Sequence, residues 1–331
     1  MSMRLAISNV HVGMTLLTSV SSLEAGIRLT NEHLRLLRFL KVDAIEVAPV
    51  ERRPFTHEEE RDLCEKILQY ERHYNQWEER ISPNPYEALE FIHQLFRQDY
   101  PLSAIVKFFT NQPLRKNHVI HHAIYRALVA KTLSKYRGDE HRLQFDYGIA
   151  SYFADASYAK IRKWSHMRYF TKMERELLYQ HPLVSMAMLP EDRTLRQRVG
   201  KLVAEHHERL DGSGFPNRLE ERALHPASPL FIVADRFCQL TAPRTFRAAL
   251  TPEEAYFYMW QNEAYDGEAL TLLATLLGFY EVGRTVLLSS GVRGKIHHYT
   301  PSVEQPIVVS EPTQETYDLT RLDEVRIIAF Q

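Results

Sequence analysis

Residues Val203–Pro216 read VAEHHERLDGSGFP, with two adjacent histidines, two glutamates, an aspartate and two glycines closing on Phe-Pro. A helix end needs one cap and one glycine. Two imidazoles, three carboxylates and a tight turn in a single stretch exceed that need. Imidazole and carboxylate together are the usual ligands of Zn, Mn or Fe, and several ions side by side require bridging carboxylates. The stretch therefore reads as one wall of a polar metal pocket.

The rest of the pocket must come from the helical middle of the chain. His118 and His122 are four residues apart and share a helix face. His181 stands in YQHPL, where Pro182 starts a helical turn. Asp235 lies in the apolar run FIVADRF, and a buried carboxylate wants a cation or a donor beside it. Each of these alone is more often a satisfied core residue, a cap or an ion-pair partner. His121 falls on a neighbouring face, and His297 and His298 read as surface residues.

Composition narrows the class. The 331 residues suffice for one large domain or two to three smaller ones. Net charge is -1, which gives no sign of a nucleic-acid or membrane-surface binder. Twelve glycines fall below ordinary usage of roughly 7% and fit a helix-rich protein. Two cysteines, Cys64 and Cys238, exclude a disulfide framework and a cysteine-type zinc site and suit a reducing compartment. Asn9 and His11 interrupt any signal-like apolar run near the start, and no run approaches the ~18 residues that span a bilayer. The expectation is a soluble, cytoplasmic protein that binds neither DNA nor membrane.

Periodicity divides the chain into four parts. Residues 1–50 form a small α+β unit, with RLAISNV and AIEVAPV as strands and TNEHLRLLRFL as a helix capped by Thr30 or Asn31. Residues 51–85 read as a charged, solvated helical linker broken by ISPNP. Residues 86–282 carry helical periodicity, as in AIYRALVAKTLSKY and GEALTLLATLLGFY. Residues 283–331 switch to short Val-, Ile- and Thr-rich runs (TVLLSSG, GKIHHYT, PIVVSE, TYDLT, VRIIAF), an antiparallel β appendage. The fold class expected is mostly α, a helical bundle with an N-terminal α+β unit and the C-terminal appendage.

HHERLDGSGFP resembles the HHExxDGxGYP signature of HD-GYP proteins. These are helical members of the HD phosphohydrolase superfamily that hydrolyse cyclic di-GMP at a two- or three-metal site. HPLVSMAML resembles the HP-containing helix of that family, and FIVADRFCQLTAPRTFRAAL its VAD segment. The resemblance covers roughly residues 86–285. It implies an HD-type bundle and a metal set of His118, His122, Asp155, His181, His206, His207 and Asp235. His118 would stand where three-metal members carry a glutamate. Arg244 and Arg247 lie where the family places basic groups against substrate phosphates. Gly214 and Phe215 belong to the substrate-binding turn, with Phe215 replacing the GYP tyrosine and Gly212 helping the backbone turn. Glu208 and Asp211 are expected to orient the imidazoles.

One element departs from the family. The run LGLAALLHDIGKI aligns without a gap on YGIASYFADASYA, so Asp155 rather than Asp146 is the dyad aspartate. Ala154 then stands in place of the dyad histidine and Tyr158 in place of the following lysine. With one nitrogen lost, the resemblance implies one or two divalent ions (Fe, Mn or Zn) rather than three. The function implied is a cyclic di-GMP phosphodiesterase of reduced activity. The alternative is a catalytically inactive receptor or scaffold that binds cyclic di-GMP, a related dinucleotide, a second copy of the chain or a signalling protein.

Overall fold

The computed structural model describes residues 2–50, 52–78, 84–112, 118–160, 171–244, 247–262, 264–322 and 324–330. Among them the strands are β1 (Met3–Ala6), β2 (Thr15–Leu16), β3 (Ala44–Ala48), β4 (Thr285–Leu288), β5 (Arg293–His298), β6 (Ile307–Ser310), β7 (Thr316–Asp318) and β8 (Ile327–Phe330). The first six α-helices are α1 (Asn31–Phe39), α2 (His57–Glu78), α3 (Pro85–Phe96), α4 (Leu102–Thr110), α5 (His118–Arg137) and α6 (His141–Phe153). They are followed by α7 (Lys172–Tyr179), α8 (His181–Ala187), α9 (Arg193–Glu205), α10 (Ser228–Thr241), α11 (Pro252–Trp260) and α12 (Gly267–Leu277). None of these helices is long and apolar enough to cross a membrane. The chain is mostly helical, with small antiparallel sheets near its two ends, as the periodicity predicts.

Two compact units emerge. One joins residues 1–52 and 135–138 with 267–331. Its first sheet has the order β1-β3-β2, with Leu5 opposite Ile45. Its second has the order β7-β6-β5-β4-β8, all antiparallel. The N-terminal unit and the C-terminal appendage read from sequence therefore share one body. Gly13, at φ +83°, sits so close to α12 that a Cβ there would meet Leu276 at 2.8 Å. The His11 ring packs edge-on against Tyr299, with centroids 5.0 Å apart. Thr30 caps α1 through a capping box with His33.

The other unit comprises residues 53–134 and 139–266. Its central helices are polar in places yet enclosed. From Asp146 to Phe153 every residue of α6 is buried. Helices buried all round lose the one-sided apolar stripe that marks surface helices.

The charged segment expected to be a solvated linker is packed instead. Leu63, Ile67, Tyr70, Tyr74 and Trp77 recur at spacings of three and four along α2, and all are buried. Charges on the other face dominate the composition and hide this stripe. Trp77 stacks on Phe153 at 5.9 Å and 12°. The Tyr70 hydroxyl donates to the Tyr152 carbonyl at 2.7 Å. The Lys160 ammonium donates to the Trp77 carbonyl at 2.7 Å. Helix α2 thus grips the chain on both sides of Asp155.

The first turn of α2 is fixed by Glu59, which is 4% exposed. Its carboxylate takes two 2.7 Å hydrogen bonds from Arg53 and one from the Thr56 amide at 2.7 Å. The Arg53 bonds come first in pulling its pKa down to about 2, against the opposing effect of burial. Its ordinary value is 4.5. The stability this group contributes is therefore complete above pH 4.5 and lost as pH falls from 4.5 towards 2. Glu59→Gln is expected to lower unfolding free energy by about 1–3 kcal/mol at pH 7. In urea melts the gap between variant and wild type should narrow below pH 4.5. A gap independent of pH would exclude the ion pair as its cause.

Candidate metal centre

Three segments converge in the helical unit. Asp155 follows directly on α6 and Ala154. His181 opens α8, with Pro182 in its first turn. His206 and His207 follow the last residue of α9. Asp192 caps the start of α9, accepting from the Leu195 amide at 2.8 Å. At its end, buried Glu205 accepts from the His225 amide at 2.9 Å and the Ser228 hydroxyl at 2.6 Å. Ser157 donates from its amide to Ser185 Oγ and from its hydroxyl to the His181 carbonyl, which locks the Asp155 segment onto α8.

One ligand atom from each of Asp155, His181, His206 and His207 lies within 4.8 Å of all the others, and all four residues are buried. The protonation pattern leaves acceptors facing each other. His181 Nδ1 is 2.7 Å from the Leu178 carbonyl and His206 Nδ1 is 2.7 Å from the Val203 carbonyl. A carbonyl only accepts, so each Nδ1 carries its proton and each Nε2 presents a lone pair. The two Nε2 atoms are 3.3 Å apart. Asp155 Oδ1 lies 3.6 Å from one and 3.9 Å from the other. Burial, then the neighbouring His207, hold the His206 ring well below its ordinary pKa, and therefore neutral. Two imidazole nitrogens and a carboxylate oxygen converging in this way are the ligand types of a cation site, and these residues fit a divalent ion.

A second cluster adjoins the first. Arg126, fully buried on α5, donates to Asp235 Oδ1 at 2.6 Å and to Asp155 Oδ2 at 2.8 Å. It also donates to the Ser151 carbonyl at 3.1 Å. His122 Nε2 lies 2.9 Å from Asp235 Oδ1 and 3.3 Å from Arg126 Nη1. Asp235 Oδ2 accepts from Gln239 at 2.8 Å and faces His207 Nδ1 at 3.2 Å. Burial alone would raise both carboxyls. Arg126 and then His181 hold Asp155 well below the usual carboxylate range, and His207, His122 and Arg126 do the same for Asp235.

The expected seven-ligand set is thus divided. Four residues form one open donor set, while His122 and Asp235 are engaged by Arg126. His118 opens α5. Asp146, the rival for the dyad position, pairs with Arg198. Arg126 went unread because one basic residue in a helix ordinarily marks a solvated face. Its only signal is the four-residue spacing from His122 within an otherwise apolar run.

Other expectations need correction. Glu208 and Asp211 do not orient the imidazoles; backbone carbonyls hold His181 and His206. Glu208 accepts from the Asn217 and Leu219 amides at 2.7 and 3.1 Å, bracing the turn. Asp211 is exposed and accepts from the Ser213 amide at 2.9 Å. Gly214 packs directly on the backbone of Glu208 and Arg209, leaving no room for a Cβ. Phe215 lies 4.7 Å from the His207 ring and stacks on Tyr179 at 4.7 Å. Tyr179, Gln180 and Gly212–Pro216 line a cleft of about 420 Å³ beside His181. Arg247 donates to the Gln239 and Leu240 carbonyls rather than pointing to an open site. Burial and nearby Arg247 push Arg244 down to about 10. Tyr158, where the family has lysine, packs its ring 4.8 Å from His181. Its hydroxyl stays protonated because burial, Asp155 and Asp235 raise its pKa.

Residues 110–269 match the model of the HD domain family. Within that segment the paired-histidine run HHERLDGSGFP is similar to the signature of HD-GYP proteins. The chain is 28% identical over 127 residues to cyclic di-GMP phosphodiesterase PA4108 of Pseudomonas aeruginosa, covering 38% of this chain and 31% of the relative. It is 33% identical over 106 residues to the cyclic di-GMP phosphodiesterase response regulator RpfG of Xanthomonas campestris, covering 31% of this chain and 28% of the relative. The matched segment therefore spans about a third or less of each relative's length. In fold the chain is similar to Bd1817, an HDG"Y"P protein from Bdellovibrio bacteriovorus. The TM-score is 0.52 at 13% identity, over 83% of this chain and 99% of that one.

The facing lone pairs predict a metal-dependent melting temperature. Saturating Mn²⁺ should stabilise the chelator-treated protein, by about 3 kcal/mol at a hundredfold excess over Kd. Scanning calorimetry should show this shift in the wild type and its loss in His206→Ala. An equal shift in both would place the ion elsewhere.

Proposed function

We propose that the HD domain of this chain is a metal-dependent phosphodiesterase that opens cyclic di-GMP or a closely related cyclic dinucleotide. The observation that carries this reading is the buried convergence of Asp155, His181, His206 and His207 lone pairs beside an open cleft. The names of the related HD-domain proteins supply the substrate class. A divalent ion held by these residues would polarise the phosphate and bring water acidity near neutrality.

The chain's own residues set the conditions for that chemistry. Two backbone carbonyls fix the orientation of the two imidazoles and turn each Nε2 towards the site. Asp155 stays ionised at neutral pH and keeps its Oδ1 turned towards the imidazoles. The flat pair Tyr179 and Phe215 offers a stacking wall for a purine at the mouth of the cleft. Tyr158 offers a neutral hydroxyl, which can donate one hydrogen bond to a phosphate oxygen but brings no positive charge. Losing that charge slows turnover, at about tenfold for each 1.4 kcal/mol of stabilisation removed.

A second reading is supported by the same loss. With Ala154 and Tyr158 in the dyad segment, the domain would hold the dinucleotide and signal without cutting it. The two are separated by incubating the protein with Mn²⁺ or Fe²⁺ and cyclic di-GMP and resolving products by chromatography, with binding followed by calorimetry. Slow formation of the linear dinucleotide, abolished in Asp155→Asn, is the expected result. Binding without product would favour the receptor, most directly if Ala154→His with Tyr158→Lys then gains turnover. Neither binding nor product would end both readings.

A further inference from the structure

We infer that Arg126 is a built-in cation standing where a second metal ion would otherwise sit, so that this site takes one divalent ion only. The inference rests on the metal-centre reading above and deepens it.

Asp155 faces two ways. Its Oδ1 turns to His181 and His206, and its Oδ2 receives Arg126 Nη2 at 2.8 Å. On the far side of the guanidinium lie Asp235 Oδ1 at 2.6 Å and His122 Nε2 at 3.3 Å. Two carboxylate oxygens and an imidazole nitrogen from three different elements thus surround one position. They are the ligand types a divalent ion takes, gathered around a bridging carboxylate. The position is filled by a side chain that is 0% exposed and always charged.

The neighbouring sequence fits the exchange. Ala154, next to Asp155 and also 0% exposed, brings no nitrogen to this position. A guanidinium has five donors and no acceptor, so it cannot join a coordination shell, and its charge repels an incoming ion. Its planar fork instead satisfies both carboxylates, and the Ser151 carbonyl takes a further N–H at 3.1 Å. The Phe231 ring lies 5.5 Å from the guanidinium carbon. Arg126 therefore acts as a positioning residue: it neutralises Asp235 and half of Asp155 and leaves the other Asp155 oxygen to the single open donor set. A second ion does not fit with Arg126 in place.

The test counts ions. Wild-type protein is saturated with Mn²⁺, freed of excess by gel filtration, and analysed by elemental mass spectrometry and electron paramagnetic resonance. One equivalent per chain with an uncoupled six-line manganese signal is expected. Two equivalents with an exchange-coupled multiline spectrum would overturn this inference while leaving the metal-centre reading intact. No bound manganese, with none from Fe²⁺ or Zn²⁺ loading either, would remove both. The double variant Arg126→Ala with Ala154→His should rise to two equivalents and show the coupled spectrum, its fold verified by circular dichroism. A folded double variant that still binds one ion would overturn the role given to Arg126. Should that variant not fold, the wild-type count decides alone.

Discussion

A single buried guanidinium ties together the three helical regions on which the centre is built. Arg126 projects from α5, Asp155 follows α6 and Asp235 belongs to α10. Two carboxylates buried this deeply repel each other and resist ionisation unless a cation lies between them. Removing one partner from such a buried network typically costs about 3–5 kcal/mol, because an uncompensated charge remains. The position of Asp155 follows from this constraint, and the position of Asp155 in turn decides which of its oxygens meets His181 and His206.

The remaining supports act on the same residue from outside. The aromatic cluster of α2, α3 and α6 presses on Tyr152 and Phe153, and the Ser157–Ser185 pair fastens the following segment to α8. Each imidazole of His181 and His206 is aimed by the backbone carbonyl three residues before it rather than by a carboxylate. Sites built on helix ends in this way are held by the bundle's packing, with little left to loop geometry. The Glu208-braced turn does the complementary work on the cleft side, holding Phe215 against His207 and Tyr179.

Much of this was readable before any coordinates. The five C-terminal runs became five strands because alternation survives in half-buried sheets. The paired histidines, His181 and the ungapped register that selects Asp155 over Asp146 come from the resemblance to the HD-GYP motifs, which gives order along the chain. What spacing cannot express is competition between partners. His122 and Asp235 have metal-ligand chemistry, yet a guanidinium from one turn further along α5 takes them first. Nor does charge content reveal burial: α2 looks solvated because its outward face carries the charges, while Tyr70 and Trp77 are hidden at helical spacing. Glu208 and Asp211 were read as supports for the imidazoles because they are close in sequence, but their nearest donors are the amides of their own turn.

The ion count is tested most directly by diffraction at the manganese edge from crystals grown with excess Mn²⁺. One anomalous peak is predicted, enclosed by Asp155, His181, His206 and His207, with the Arg126 guanidinium still between Asp155 and Asp235. A second peak at the guanidinium position, with Arg126 displaced from it, would contradict the one-ion centre.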